Sequence, residues 1–178
     1  FIEWIIDAEF LPTSFTPIPH SGLVEDGFFS IYKTFTGALP NKEQQAVHPF
    51  IHENIASGHL TCVGHSLGSS LATMLALDAK VNDGVSNMTL YTFASPKTGD
   101  WAFAHYFNSQ ITDSIRIYNE PDIVPKLPPL YSQIDTGYEI DSKNFPQIRH
   151  SIACYHELTT YLWVINQQSE FGLGACQK

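Results

Sequence analysis

Apolar positions along the chain follow two different spacings, which predicts strands interleaved with helices. Short apolar runs bounded by turn-forming residues predict buried strands at 59–63, 88–94, 114–118 and 138–140. Apolar residues that recur every three or four positions predict helices at 41–57, 67–80, 100–107 and 154–165. The proline-containing stretch 11–22 predicts an extended loop, and an apolar pattern resumes over 27–35. This order is typical of an α/β fold with a mostly parallel central sheet flanked by helices.

Charge narrows the classes of partner. The 178 residues carry a net charge of −9, which repels nucleic acid and anionic membrane surfaces but leaves neutral lipid and uncharged esters open. No apolar run approaches the roughly 18 residues that a transmembrane helix requires. The length is that of about one domain, so residues 1–178 are expected to form a single domain.

One short motif carries specific chemistry. Residues 64–68 have the sequence Gly-His-Ser-Leu-Gly, which matches the G-x-S-x-G nucleophile elbow. The motif requires a strand before it and a helix after it, and both are predicted here. Ser66 is therefore the candidate nucleophile. The backbone N–H of Leu67, at the start of the following helix, is a candidate oxyanion donor.

A serine nucleophile needs a base, and the base needs an acid that orients it. In elbow-containing folds the chain order is serine, acid, histidine. Asp122 follows the predicted strand 114–118 in a loop and is the candidate acid, with Glu120 as its nearest rival. His156 precedes an apolar helix and is favoured as the base over His150.

The remaining histidines are interpreted without a catalytic role. His65 is expected to point away from the base. His52 begins an H-E sequence, but Ala56 stands where the second metal-binding histidine of H-E-x-x-H would be. Phosphate-binding glycine motifs are absent as well. We therefore predict neither a metal site nor a cofactor.

The three cysteines leave at least one thiol unpaired. Cys62 lies in an apolar run and is expected to be a buried free thiol. Cys154 could pair with Cys176, or Cys176 could pair with a residue upstream of Phe1. Either disulfide would indicate an oxidising compartment and so favours a secreted protein.

Several ordered segments resemble those of the class 3 (fungal-type) triacylglycerol lipase family of the α/β-hydrolase fold. The matching segments are 1–7, 27–32, 61–72, 91–100, 119–129, 156–163 and 174–176. The resemblance implies a catalytic triad of Ser66, Asp122 and His156. It also implies that the family's second oxyanion donor, and its first strands, would lie upstream of Phe1.

The same resemblance implies a lid at the start of the chain. Its apolar residues, together with one residue of the acid loop, would contact substrate: Ile2, Trp4, Ile5, Ile6 and Val124. Such a segment covers an apolar groove in water and opens at a lipid–water interface.

The expected activity is hydrolysis of the carboxylic ester bonds of acylglycerols, without a cofactor. The expected partner is a lipid or another ester. Two alternatives remain: a feruloyl esterase or phospholipase on the same scaffold, or a non-catalytic lipid-binding fragment. The fold alone does not decide among them.

Overall fold

The computed structural model describes residues 10–55, 58–167 and 172–178. The strands are β1 (Pro12–Ser14), β2 (Leu23–Glu25), β3 (Thr36–Gly37), β4 (Gln45–Ala46), β5 (His59–His65), β6 (Asn87–Phe93), β7 (Ser114–Asn119) and β8 (Tyr138–Ile140). The helices are α1 (Asp26–Tyr32), α2 (Val47–Asn54), α3 (Leu67–Asn82), α4 (Trp101–Gln110), α5 (Ile152–His156) and α6 (Leu158–Ile165). Short 3₁₀ turns occur at Val124–Lys126, Ser142–Asn144 and Gly174–Cys176.

A parallel sheet organises the described part of the chain. Its four strands lie in the order β5-β6-β7-β8, and each neighbouring pair is parallel. Because the strands are parallel, their carboxyl ends meet at one edge of the sheet. The loops that carry the candidate nucleophile and acid both leave from that edge, since they follow β5 and β7. The predicted α/β layering with a mostly parallel sheet agrees with this arrangement.

Helix α3 forms the centre of the core. It packs against β5, β6 and α1, and its residues Met74 and Leu77 are fully buried. Leu90 of β6 is also fully buried. A helix that is apolar on most of its surface is expected to be covered on several sides. Packing in the core therefore fixes the position of the helix that begins immediately after Ser66.

The structure corrects three element predictions in the described residues. The expected loop 11–22 contains strand β1, which pairs antiparallel with β2. The helix expected from residue 41 begins only at Val47, because β3 and β4 form a small hairpin before it. The helix expected over 154–165 is two helices, since Glu157 adopts an extended conformation (ψ 132°) between them. Two- and three-residue strands are too short to show an alternating pattern.

A disulfide bond between Cys154 and Cys176 joins α5 to the last 3₁₀ turn. Of the two pairings that the sequence left open, the structure forms this one. Cys62 is a buried free thiol, as predicted, and burial raises its pKa to about 11. Among the helices that the structure describes, none has the length and apolar character needed to cross a bilayer.

Candidate active site

The chain makes a strained turn at Ser66, between β5 and α3. Ser66 has φ 57° and ψ −129°, a backbone conformation that residues with a side chain rarely adopt. The turn brings β5 very close to α3: a Cβ atom at Gly64 would lie 2.6 Å from Cα of Ser69 and closer still to the carbonyl of Gly68. A Cβ at Gly68 would meet nothing within 4 Å. Of the two motif glycines, close packing therefore requires Gly64.

Three predicted residues meet at the carboxyl edge of the sheet. The hydroxyl of Ser66 lies 2.6 Å from Nε2 of His156, and Nδ1 of His156 lies 2.9 Å from Oδ2 of Asp122. All three side chains are buried, with 4% or less of each residue exposed. The acid candidate is a carboxylate that can only accept, so Nδ1 of His156 carries the proton and Nε2 is left to accept from the serine.

Two backbone N–H groups order the loop of Asp122, and one of them contacts its carboxylate. The N–H of Val124 donates to Oδ1 at 3.0 Å, and the N–H of Asp122 itself donates to the carbonyl of Asn119 at 2.9 Å. The loop is thus folded back on the end of β7. One carboxylate oxygen is occupied by the loop, while the other faces His156.

Tyr161 is a further component of the site that the sequence did not reveal. Its hydroxyl donates to Oδ2 of Asp122 at 2.7 Å and accepts from the N–H of Asn119 at 2.9 Å. Burial, followed by the charge of Asp122, raises the pKa of Tyr161 well above its ordinary value. The phenol therefore stays protonated and remains a donor to the acid. No sequence motif relates a tyrosine to an acid 39 positions before it in the chain.

Asn119 connects the acid loop to the helix of the base. Its amide nitrogen donates to the carbonyl of Tyr155 at 2.8 Å and to the hydroxyl of Ser142 at 2.9 Å, and its side-chain oxygen accepts from the N–H of Ser142. The side chain is fully buried. Since Tyr155 precedes His156, this amide fixes the backbone of the base relative to β7.

The rival acid and base lie elsewhere. Glu120 forms an ion pair with Lys143, which lowers the pKa of the glutamate. His150 is exposed and its ring contacts Tyr155 rather than Ser66. Neither residue is within hydrogen-bonding distance of the serine hydroxyl, whose partner is His156.

The expected orientation of His65 is wrong. Its ring lies beside that of His156, with 4.9 Å between the ring centroids, and its Nε2 atom is 2.7 Å from the carbonyl oxygen of His156. The elbow turns so sharply that residues 65 and 66 both face the base. Alternation along a straight strand would have placed them on opposite sides.

The other predicted site residues have mixed outcomes. Leu67 is the first residue of α3, where backbone N–H groups lack partners within the helix. Val124 is fully buried, so contact between its side chain and a substrate stays a prediction. The proposed lid residues Ile2, Trp4, Ile5 and Ile6 lie outside the described residues. Within residues 10–55, 58–167 and 172–178, no cluster of histidine, cysteine, aspartate or glutamate could hold a metal ion.

Comparison with known proteins identifies the family. Residues 1–132 match the model of the family described as Lipase (class 3). The chain belongs to this family. It is 37% identical over 188 aligned residues to the lipase of Rhizomucor miehei, and that alignment covers 98% of this chain and 50% of the lipase. It is also 28% identical to Phospholipase A1-II 4 of Oryza sativa subsp. japonica, over 86% of this chain and 46% of the phospholipase.

Solved structures of lipases share the fold. A native complex of Rhizomucor miehei lipase with its propeptide superposes with a TM-score of 0.66 and 30% identity, over 99% of this chain and 59% of that one. A triacylglycerol lipase described as having a serine protease triad as its catalytic centre superposes with a TM-score of 0.57 and 35% identity, over 72% of this chain and 47% of that one. This class 3 lipase chain therefore has an α/β-hydrolase type of fold. It spans about half the length of the curated relatives that it matches.

Proposed function

We propose that this chain is one α/β-hydrolase domain of a serine esterase that hydrolyses the carboxylic ester bonds of acylglycerols. The observation that carries the proposal is the hydrogen-bonded series from Ser66 through His156 to Asp122, at 2.6 and 2.9 Å. Membership of the class 3 lipase family supports the choice of an ester as substrate.

The first half of the proposed reaction forms an acyl-enzyme. Oγ of Ser66 attacks the ester carbonyl carbon while Nε2 of His156 takes the hydroxyl proton. The carbonyl oxygen becomes an oxyanion, to which the N–H of Leu67 at the start of α3 donates. His156 then gives its proton to the departing alcohol as the ester C–O bond breaks. Asp122 orients the imidazole and stabilises its charged form throughout.

The second half returns the enzyme to its starting state. A water molecule attacks the acyl carbon, Nε2 of His156 takes a proton from it, and Ser66 recovers that proton as the fatty acid leaves. The burial of all three residues strengthens these interactions, because charges that develop in a site of low dielectric are poorly screened.

The proposed substrate surface includes the predicted lid residues and Val124. An apolar lid would cover the buried site in water and open where it meets a lipid surface. The partner would then be a neutral lipid, in keeping with the net charge of −9.

Hydrolysis by matched variants tests the proposal. Wild type, Ser66→Ala and Ser109→Ala are compared on short-chain and long-chain acyl esters, since Ser109 is an exposed serine near the end of α4. Loss of at least about 10³-fold in kcat is expected for Ser66→Ala only. Equal rates for Ser66→Ala and wild type would refute the proposal.

A phospholipase is the second candidate, because the rice relative is named as a phospholipase A1. The two activities use the same triad and differ in the group attached to the glycerol. Release of fatty acid from phosphatidylcholine and from triacylglycerol, presented in emulsions of equal surface area, separates them. Faster hydrolysis of phosphatidylcholine would favour the second candidate.

A further inference from the structure

His65 is a partly buried titratable side chain that the proposed reaction does not use. Its ring contacts two rings of the site, with 4.9 Å between its centroid and that of His156 and 6.2 Å to that of Tyr161. Its Nε2 atom lies 2.7 Å from the backbone carbonyl oxygen of His156. The residue before the nucleophile is thus attached to the backbone of the base.

The carbonyl of His156 needs a donor because of where it lies. His156 is the last residue of α5, and the chain turns out at Glu157 before α6 begins. Carbonyls in the last turn of a helix have no partner within that helix. An imidazole N–H from the neighbouring β5 supplies one.

The contact defines the state of the His65 ring. A carbonyl can only accept, so Nε2 of His65 carries a proton. Burial lowers the pKa of His65, although its hydrogen bond to the carbonyl of His156 opposes that effect. The neutral ring therefore has a protonated Nε2 and a bare Nδ1. A neutral neighbour also avoids placing a second positive charge beside His156 when that residue accepts the serine proton.

We propose that His65 is a positioning residue, whose Nε2–H holds the backbone of His156 so that the imidazole stays aligned with Ser66. Two adjacent residues then hold one residue about ninety positions away: Ser66 contacts its side chain and His65 contacts its main chain. The inference rests on the proposed function, because alignment matters only if His156 acts as the base.

Replacement of the donor, with and without its N–H, tests the role in catalysis. His65→Leu fills similar space without a donor, and His65→Gln returns an amide N–H near the position of Nε2. We expect His65→Leu to lower kcat by roughly 10- to 100-fold with KM changed less than about 2-fold, since small misplacements of a base cost this much. His65→Gln should stay within about 3-fold of wild type. His52→Gln, on an exposed position of α2, is the control.

A second measurement does not depend on turnover. The ¹⁵N chemical shifts of the imidazole nitrogens in the wild-type chain should show His65 with a protonated Nε2 and a bare Nδ1. A protonated Nδ1 with a bare Nε2 would overturn the proposal, as would equal kcat in His65→Leu and wild type. Equal loss in the Leu and Gln variants, both folded by circular dichroism, would also overturn it.

The outcomes separate this inference from the proposed function. A wild-type chain that hydrolyses no ester overturns the proposed function, while the imidazole spectrum still decides whether the His65 contact exists. If His65→Leu does not fold, the Gln variant and the spectrum decide the question.

Discussion

The phenol of Tyr161 donates to Oδ2 of Asp122, the same carboxylate oxygen that faces Nδ1 of His156. The phenol oxygen lies 2.7 Å from Oδ2, and Nδ1 of His156 lies 2.9 Å from it. All three side chains are almost completely buried. Two donors on one oxygen fix the direction of the carboxylate. The acid is thus held by a residue on α6, beyond the base in the chain.

Removing that phenol should affect both activity and stability. Tyr161→Phe deletes a donor to Asp122 and leaves the buried N–H of Asn119 without its acceptor. We expect a cost of about 1–3 kcal/mol in the free energy of unfolding. We also expect roughly a tenfold lower kcat, as is usual when a supporting hydrogen bond to a functional group is lost. Urea unfolding and ester hydrolysis measure the two effects. Tyr138→Phe, on an exposed position of β8, should change neither.

The two glycines of the elbow should respond differently to alanine. A Cβ at Gly64 would collide with the backbone of Gly68 and Ser69, whereas one at Gly68 would meet nothing within 4 Å. Gly64→Ala should destabilise the fold by more than about 3 kcal/mol. Gly68→Ala, on helix α3, should be neutral or stabilising by up to about 1 kcal/mol. Thermal unfolding of both variants checks this, and similar melting temperatures would contradict the packing argument.

His48 should make stability depend on pH. Burial alone would lower its pKa, but the hydrogen bonds and charges of Asp83 and Asp78 outweigh burial and raise it above the ordinary 6.5. Its nitrogens lie 2.8 and 3.0 Å from those carboxylates, and Tyr32 donates to Asp78 as well. A raised pKa in the folded state gives stability that is complete below pH 6.5 and is lost as the pH rises through the raised value.

A variant of His48 isolates this effect. The stability advantage of wild type over His48→Gln should be larger at about pH 6 than at about pH 9. The difference should stay below about 1 kcal/mol, because 38% of the His48 side chain is exposed to screening by water. Urea unfolding at the two pH values measures it, with His52→Gln as the control. An advantage that grows with pH would contradict the assignment.

The disulfide between Cys154 and Cys176 should stabilise the region that carries the base, since Cys154 and His156 share helix α5. Replacing both cysteines with alanine should cost about 2–5 kcal/mol in the free energy of unfolding. Reductant should lower the melting temperature of wild type and leave that of the double variant unchanged.

The free thiol of Cys62 should be protected in the folded protein. A thiol reagent should label Cys62 only after unfolding, because the thiol is buried and its pKa is raised to about 11. Rapid labelling of the native protein would contradict this.

The parallel strands were predictable because each is a short run bounded by turn-forming residues, in an order that alternates with helical patterns. The expected boundaries for β8 match the structure, and β5 differs only in extending two residues to His65. Strands β1 to β4 could not be predicted, since they form two separate antiparallel pairs and that pairing depends on tertiary contacts. The break at Glu157 also has no local signal, because it lies between two stretches that both favour helix.

The meeting of Ser66, Asp122 and His156 followed from a motif, a strand end and the order of the chain. The residues that support these three side chains could not be predicted from the sequence. Each forms a hydrogen bond between different elements, to a residue that is 36 to 91 positions away in the sequence. These residues are Tyr161, Asn119 and His65. No spacing rule predicts such contacts. Predicting them requires the backbone path of the elbow and of the acid loop.

Covalent labelling tests the central claim most directly. The chain is incubated with a fluorophosphonate, which reacts with serines activated by a neighbouring base, and the modified residue is located by mass spectrometry. The account predicts one label per chain at Ser66, and little or none in Ser66→Ala and in a folded His156→Ala variant. A wild-type chain that stays unlabelled, or that is labelled at another serine, would contradict it.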